Sequence, residues 1–445
     1  MCESKTLCMR IPHKRSTRLI IGLLFAFGFN SSTQAQDASS DVAALRPITL
    51  AETLIAATKN IDAQIARLQL SGARADILAA NHAPLPTLST SVSQIDLQNG
   101  IGAGSILGDK RIDKNIGIDW TWERGDKRML RTRAATEAAN ASAQDLTEAL
   151  VQQRLLASSA FFDLFGAQER IKQVGAIADS AKLLAATANK RLAAGDLSAQ
   201  DTARSNIEAQ RAQNDMTLAE QDRSRAELTL NLILDLGPQK LISIASPSPL
   251  ELGSQARVDK TYNQATLIEQ RPDIQAALAR TLSAKAQLDN ALALQKNDIT
   301  LGTAFDHFPG TSNRLLTFRM QMPLQMGALG GYTYQGEIAR AESQLAIAEA
   351  ALERTRHAAN NDALRLNQEL ASSQLRASSY AQNITLEAKR VANQAELAYN
   401  KGALSLTDLL EARRTWRATT LEAIAAQTDF EKAQAAWDIR FKTPL

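Results

Sequence analysis

The side chains best placed for chemistry are two serine–carboxylate pairs, Ser198 with Asp201 and Ser405 with Asp408. Each closes a Gly-x-Leu-Ser-x-x-Asp stretch, running from Gly195 through Leu197 and from Gly402 through Leu404. The second copy lies 207 positions after the first. A serine followed three residues later by an acid is helix-capping chemistry. The hydroxyl accepts a free N–H of the first turn, and the acid completes a capping box. The glycine, free to take the left-handed conformation, ends the helix before it. Each stretch therefore reads as a hinge between two helices. Catalytic chemistry has no comparable support, because nucleophile elbow, phosphate loop and α/β cleft pattern are all missing. His82, His307 and His357 fall in unrelated elements without ligand spacing, so no metal or cofactor site is expected.

A hinge that recurs in register implies a doubled chain. In the first unit, residues 36–240, a helix is expected over about 49–82. Pro84 and Pro86 stop it, and a β-hairpin follows over about 87–122. Within the hairpin Ile116, Ile118, Trp120 and Trp122 alternate with Gly117, Asp119 and Thr121, which gives one apolar and one polar face. Helix then runs from Asp126 to Leu236, broken only at the tip, about 194–198. Gly237 and Pro238 end the unit, and residues 241–260 read as a linker. The second unit, residues 261–445, repeats the plan. A helix spans about 262–296 and a hairpin about 299–323, where Leu316, Phe318, Met320 and Met322 alternate with Thr317, Arg319 and Gln321. Long helix covers 335–440, with its tip about 401–405. Helical pieces of this length, rich in alanine, argue for coiled-coil-like packing.

The first 35 residues read as a secretory signal peptide. Lys14, Arg15 and Arg18 precede the apolar run Leu19–Phe29, and small residues lead to Ala35. The whole chain carries 50 Lys+Arg against 47 Asp+Glu. Removing five basic residues and one acidic residue leaves 45 against 46, a formal charge of −1. That balance gives no electrostatic case for nucleic-acid binding. Both cysteines, Cys2 and Cys8, leave with the signal, so neither disulfide nor thiolate site is expected. No apolar run long enough for a transmembrane helix follows, so entry into a membrane must be by β-strands.

The expected strands, about 8–11 residues long, are sufficient to cross a bilayer core when tilted. Trp120, Trp122, Phe305, Phe308 and Phe318 concentrate there in a chain with 4% aromatics, as an interfacial girdle requires. Four strands cannot close a barrel, and open edges are not tolerated in lipid, so several chains must share one. Helices of sixty-odd residues extend on the order of 90 Å, much of the depth of a periplasm.

The doubled helix–hairpin–helix plan, with its Gly195–Asp201 and Gly402–Glu411 stretches, resembles the TolC-like outer-membrane efflux proteins over essentially the whole mature chain. Glu123–Arg128, Tyr334–Ala341 and Tyr399–Trp416 resemble the cobalt–zinc–cadmium (CzcC-like) branch. The resemblance implies a mainly α fold: a homotrimer with a twelve-stranded outer-membrane β-barrel, four strands per chain, continuing into a periplasmic α-barrel. It also implies a periplasmic adaptor and an inner-membrane pump of the resistance–nodulation–division class as partners. Such a channel catalyses nothing and needs no cofactor. The tips, Gly195, Leu197 and Ser198 with Gly402, Leu404 and Ser405, would receive the adaptor. The family's closing links fall on Asp201, Tyr399, Asp408 and Glu411. Asp408 and Glu411 are three apart on one helical face, so three copies would set up to six carboxylates around a constriction. Leu404 stands where some relatives carry arginine. Capping alone also accounts for Asp201 and Asp408, packing for Tyr399, and a solvated surface for Glu411. A type I protein-secretion channel would use the same fold. A structural coiled-coil envelope protein would share the long helices but not the two-faced hairpins.

Overall fold

The computed structural model describes residues 47–100, 102–104, 111–237, 244–245, 264–309, 312–324 and 332–441. The signal segment and nearly all of the linker lie outside the described residues. Its dominant elements are helices with no counterpart in ordinary globular domains. After α1 (Leu50–Ala57) and α2 (Ile61–Ala80), helix α3 runs unbroken for 67 residues, Lys127–Ala193. At the helical rise that is about 100 Å. It folds back at the first tip into α4 (Ala199–Ile233). The second half gives α5 (Gln264–Glu269), α6 (Pro272–Ala293) and α7 (Gln335–Ser379). One π-helical turn, Tyr380–Ile384, joins α7 to α8 (Thr385–Asn400), and the second tip leads into α9 (Leu406–Phe441).

Both halves depart from the expected single helix ahead of the hairpin. In the first half the helix is cut at residues 58–60, where Asn60 turns extended to cap α2 through its Oδ1, 3.0 Å from the Ala63 N–H. The Asn60 amide also donates to Gln153 and to the Ile233 carbonyl, so a buried tertiary site fixes the break. In the second half Pro272 ends α5. A proline lacks the N–H that helix continuation needs and forces the residue before it out of the helical region. Arg271 accordingly sits at ψ 140°.

The four strands β1 (Thr87–Ser93), β2 (Asp113–Trp122), β3 (Ile299–Phe308) and β4 (Ser312–Gln321) form one antiparallel sheet in chain order. The two hairpins join through β2 and β3, with Trp120 opposite Leu301 and Ile116 opposite Phe305. β1 is shorter than expected, because Gln94 takes a positive φ of 59° and ends it. The Asp96 carboxylate then accepts the Gln98 and Asn99 N–H groups in the turn beyond. β1 and β4 each pair on one side only within the chain.

Among the described residues the buried apolar side chains form separate clusters. One apolar cluster forms midway along the helices around Phe161, Phe162, Leu164 and Leu230, and includes Ile244 of the linker. Residues 244–245 are docked there, since Ile48 bridges Ile244 and accepts the Ala245 N–H at 3.0 Å. A second cluster gathers Ile268, Ile274 and Leu352, and a third lies at the second tip. Between clusters the buried apolar residues are mostly alanine. At Gly166 the approach of α9 is so close that a β-carbon would fall 2.6 Å from Thr428 Oγ1. Buried ion pairs add to this packing, within the second half at Arg271 and between the halves at Arg440. Arg271 bridges Asp273 and Asp362, and Arg440 clamps Glu148 at 2.8 Å. Burial opposes ionisation of Asp362, but hydrogen bonds from Arg365 and Arg271 outweigh it and hold the carboxyl below its ordinary range.

Candidate functional site

The two tips are built by the same local chemistry. At the first, Gly195 has φ +80°; its N–H reaches the Leu192 carbonyl at 3.0 Å, and the Asp196 N–H reaches Arg191 at 2.8 Å. At the second, Gly402 has φ +76°; its N–H reaches Tyr399 and the Ala403 N–H reaches Ala398, both at 2.9 Å. These are two complete Schellman endings. Ser198 then accepts the Asp201 N–H at 3.0 Å, and Ser405 accepts the Asp408 N–H at 3.2 Å. The returning half of each box differs from expectation. Asp201 and Asp408 accept the hydroxyl of their own serine, at 2.8 and 2.7 Å, and leave the backbone N–H of the cap alone. The side chain of aspartate is one methylene too short. Thr49 and Glu52 show the full reciprocal box, with the Thr49 N–H donated to Glu52 at 3.0 Å.

No hydrogen bond or ion pair links the four expected closing residues to one another. Tyr399 accepts a hydrogen bond from Arg191 at 3.2 Å and packs beside Leu406, Leu409 and Leu410, so it ties α3 to the second hairpin. Asp201 has Arg204 at 3.7 Å. Asp408 and Glu411 are both exposed and line one open groove between α8 and α9, with Glu387 and Thr415. Glu411 has Arg414 at 3.8 Å, while Arg414 directs its shorter bond, 2.8 Å, to Glu208. Leu197 and Leu404 are half-buried, and the remaining tip residues Gly195, Ser198, Gly402 and Ser405 are exposed.

An arginine set on α9 is the part of this region that sequence reasoning passed over. Arg413 pairs with Glu396 at 3.2 Å, Arg414 with Glu208, and Arg417 with Asp215 at 3.0 Å. Arg204 donates to Thr407 at 2.7 Å. Arg414, Arg417 and Arg204 clamp the two hairpins side by side, while Arg413 braces α9 against α8 within the second. The available signal was the spacing 413, 414 and 417, one turn of one helix face.

The sheet has the two faces the alternation requires. Leu88, Ile116, Ile118, Trp120, Trp122, Leu301, Phe305, Leu316, Phe318 and Met320 share one side and are exposed. Trp122 and Phe305 lie near opposite ends of that band, about 20 Å apart by the strand rise. Phe308 does not continue it, because along β3 it falls in phase with Gly302, Ala304 and Asp306 and not with Leu301 and Phe305. The other face carries Gly117, Gly302, Ala304 and Asp306, and across it Arg319 clamps Asp119 at 2.6 Å. A side chain at position 302 would have to push Asp119 off Arg319, since a β-carbon would fall 2.1 Å from Asp119 Oδ1. Asp306 accepts from Asn115 and Thr317. The Glu123–Arg128 motif is the strand-to-helix junction itself. Lys127 reaches the Lys296 carbonyl and Asp298, both at 2.8 Å, and Glu123 holds Arg131.

A four-stranded sheet with its apolar side outward, continued by 67-residue helices that fold back at capped tips, matches solved structures over most of its length. The outer-membrane channel OprN superimposes with a TM-score of 0.74 at 19% identity, covering 88% of this chain and 89% of that one. The open state of the Neisseria gonorrhoeae MtrE outer-membrane channel gives 0.72 at 18% identity, covering 88% of each. This is the fold of the TolC-like outer-membrane channels. In sequence the chain is similar to the cobalt-zinc-cadmium resistance protein CzcC of Cupriavidus metallidurans, 24% identical over 380 residues, 83% of this chain and 84% of that protein. No family model matches the sequence. Within the channel fold, the Gly195 and Gly402 hairpins are the ends farthest along the helices from the sheet. No cluster of three or more possible metal ligands occurs among the described residues.

Proposed function

We propose that the chain is the outer-membrane channel of a tripartite efflux system, a passive path from periplasm to exterior. The observation that carries this reading is the sheet turned inside out. A water-soluble sheet covers its apolar face. Here that face is exposed while Gly117, Ala304 and Asp306 on the polar face are buried, the pattern of a strand set with lipid outside and a lumen inside. The unpaired edges of β1 and β4 must be satisfied in lipid. Pairing β4 of one protomer with β1 of the next closes a ring, and three protomers supply twelve strands. Exposed apolar residues on the helices, Ile207, Leu218, Leu228 and Leu232 on α4 and Leu386, Val391 and Leu397 on α8, supply further surface for that association.

Trp120, Trp122, Phe305 and Phe318 then face lipid near the two interfaces. The tips face a periplasmic adaptor, and an inner-membrane pump of the resistance–nodulation–division class drives transport. The similarity to a cobalt-zinc-cadmium resistance protein supports heavy-metal cations as cargo. A triple set of Asp408 and Glu411 at the far mouth would draw cations to it.

Three measurements test this. The chain should fractionate with outer membranes and migrate as a heat-modifiable oligomer, and recovery as a soluble periplasmic monomer overturns the channel. Purified protein should conduct ions in planar bilayers. Deletion should sensitise cells to cobalt, zinc or cadmium, and unchanged tolerance overturns the cargo while leaving the channel standing.

A further inference from the structure

Just behind the apolar cluster of the second tip, the seam between the hairpins is not closely packed. A partly enclosed cavity of about 70 Å³ lies between α3, α4, α8 and α9. Its apolar wall is formed by Ala181, Leu184, Ala212, Leu410 and Trp416. Its polar wall carries Ser205, which is 1% exposed and whose hydroxyl has no hydrogen-bonding partner in the protein. A buried hydroxyl left unpaired is costly, and a bound group that satisfies it recovers that cost.

We propose that this cavity is a binding site for a small neutral hydroxylic molecule of the short-chain alcohol class, lodged between the two hairpins. Neutrality follows from the surroundings. The charges at the cavity are already matched, Arg413 with Glu396 at 3.2 Å and Arg417 with Asp215 at 3.0 Å and Glu208 at 3.7 Å, while Arg417 Nη1 lacks an aligned hydrogen bond and adds a donor to the polar wall. A charged guest would have to break one of these pairs and leave its partner desolvated. Size follows from the volume, roughly half of the ~150 Å³ that accommodates benzene in an apolar cavity, which restricts the guest to about four non-hydrogen atoms. Amphipathic character follows from the walls. Water alone would satisfy Ser205 but leave the leucine, alanine and tryptophan surface in contact with a polar guest. A hydroxyl on a short branched alkyl group meets both. Both hairpins contribute to the site, so a guest stabilises their packed arrangement over a separated one by mass action.

Trp416 in the wall provides the readout. In the full chain in detergent, Trp120, Trp122 and Trp437 are changed to phenylalanine and 2-propanol is titrated in the millimolar range. The expected result is a saturable change in Trp416 emission. Ser205→Ala should weaken binding about tenfold, yet raise the thermal midpoint without alcohol, because it removes the unpaired hydroxyl. Ala212→Leu should fill the cavity and abolish the saturable signal, with Ala181→Val as the second filling variant should the leucine fail to fold. A signal linear in alcohol, or one that saturates equally in the filled variants, overturns the proposal. In crystals soaked with 2-propanol, density for the alcohol within hydrogen-bond distance of Ser205 supports it, and water alone at that position overturns it.

Discussion

The two tips share a backbone and differ in charge. Gly195 and Gly402 end their helices by the same pair of hydrogen bonds, and Ser198 and Ser405 start the next helices by the same cap. Three residues past the capping aspartate they diverge. Asp201 is followed by Arg204, which approaches it to 3.7 Å, whereas Asp408 is followed at the equivalent place by Glu411. The first tip sets an arginine one turn after its capping carboxylate, and the second sets another acid there. Their packing differs as well. Leu409, 1% exposed, sits in an apolar cluster where the first tip has Thr202, whose hydroxyl returns to the Ser198 carbonyl. The approaches also differ: α3 is α-helical throughout, while the path from α7 to α8 contains a π-turn. Shared features thus mark what a helix reversal needs. The unshared ones mark what is particular to the second hairpin, and the gating reading rests there.

The packing contrast should give the largest effect. Leu409→Ala opens a cavity in the cluster beneath Tyr399 and is expected to destabilise by about 2–5 kcal/mol. Thr202→Ala at the matching place removes one local hydrogen bond and should cost about 1 kcal/mol. Thermal unfolding of the two purified variants, followed by circular dichroism, measures the difference. Equal losses would mean that the second tip is no better anchored than the first.

Glycine comes next, and here the tips should agree. Neither Gly195 nor Gly402 has any atom within 4 Å of where a β-carbon would stand, so the cost of a side chain is conformational alone. Valine at either position should destabilise by about 1–2 kcal/mol. A marked inequality in unfolding would show that one tip is held against another surface in the assembled protein.

How much of this was legible beforehand divides along the same line between local and tertiary causes. The hinges could be read because glycine, serine and aspartate act within seven residues. The two-faced strands could be read because alternation is a period-two pattern. The breaks at Asn60 and Pro272 stayed hidden for different reasons. Asn60 turns on an amide satisfied by Gln153 and the Ile233 carbonyl, far along the chain. Pro272 was in plain view, and the helical period on either side masked it. The π-turn leaves no trace in composition, and the clamp of Arg414 and Arg417 depends on which face of α9 meets α4. Residue type alone places Phe308 in the aromatic band, but its position along β3 is in phase with Asp306 on the other face.

The caps should respond alike and more weakly than the glycines. Ser198→Ala and Ser405→Ala each remove the acceptor for one first-turn N–H, so about 1 kcal/mol is expected at either tip. Threonine at either position should restore most of it. A serine whose loss costs nothing would show that its helix start is held by something other than the cap.

The smallest effect on stability, and the sharpest on function, should come from charge. Glu411→Arg gives the second tip the aspartate–arginine spacing of the first. Glu411 is exposed, and an exposed pair is worth about 0–1 kcal/mol, so unfolding should hardly move. If Asp408 and Glu411 stand at the mouth of a conduit, the same change must lower cation preference in planar bilayers. It replaces one negative charge per protomer by a positive one and pairs the other. The reciprocal change, Arg204→Glu, doubles the acid at the first tip and tests whether position matters or charge alone. A shift in preference from Glu411→Arg but not from Arg204→Glu places the second tip on the ion path. Equal shifts would make the acidity a general property of the mouth. Unchanged preference in both would reduce Asp408 to the capping role it shares with Asp201.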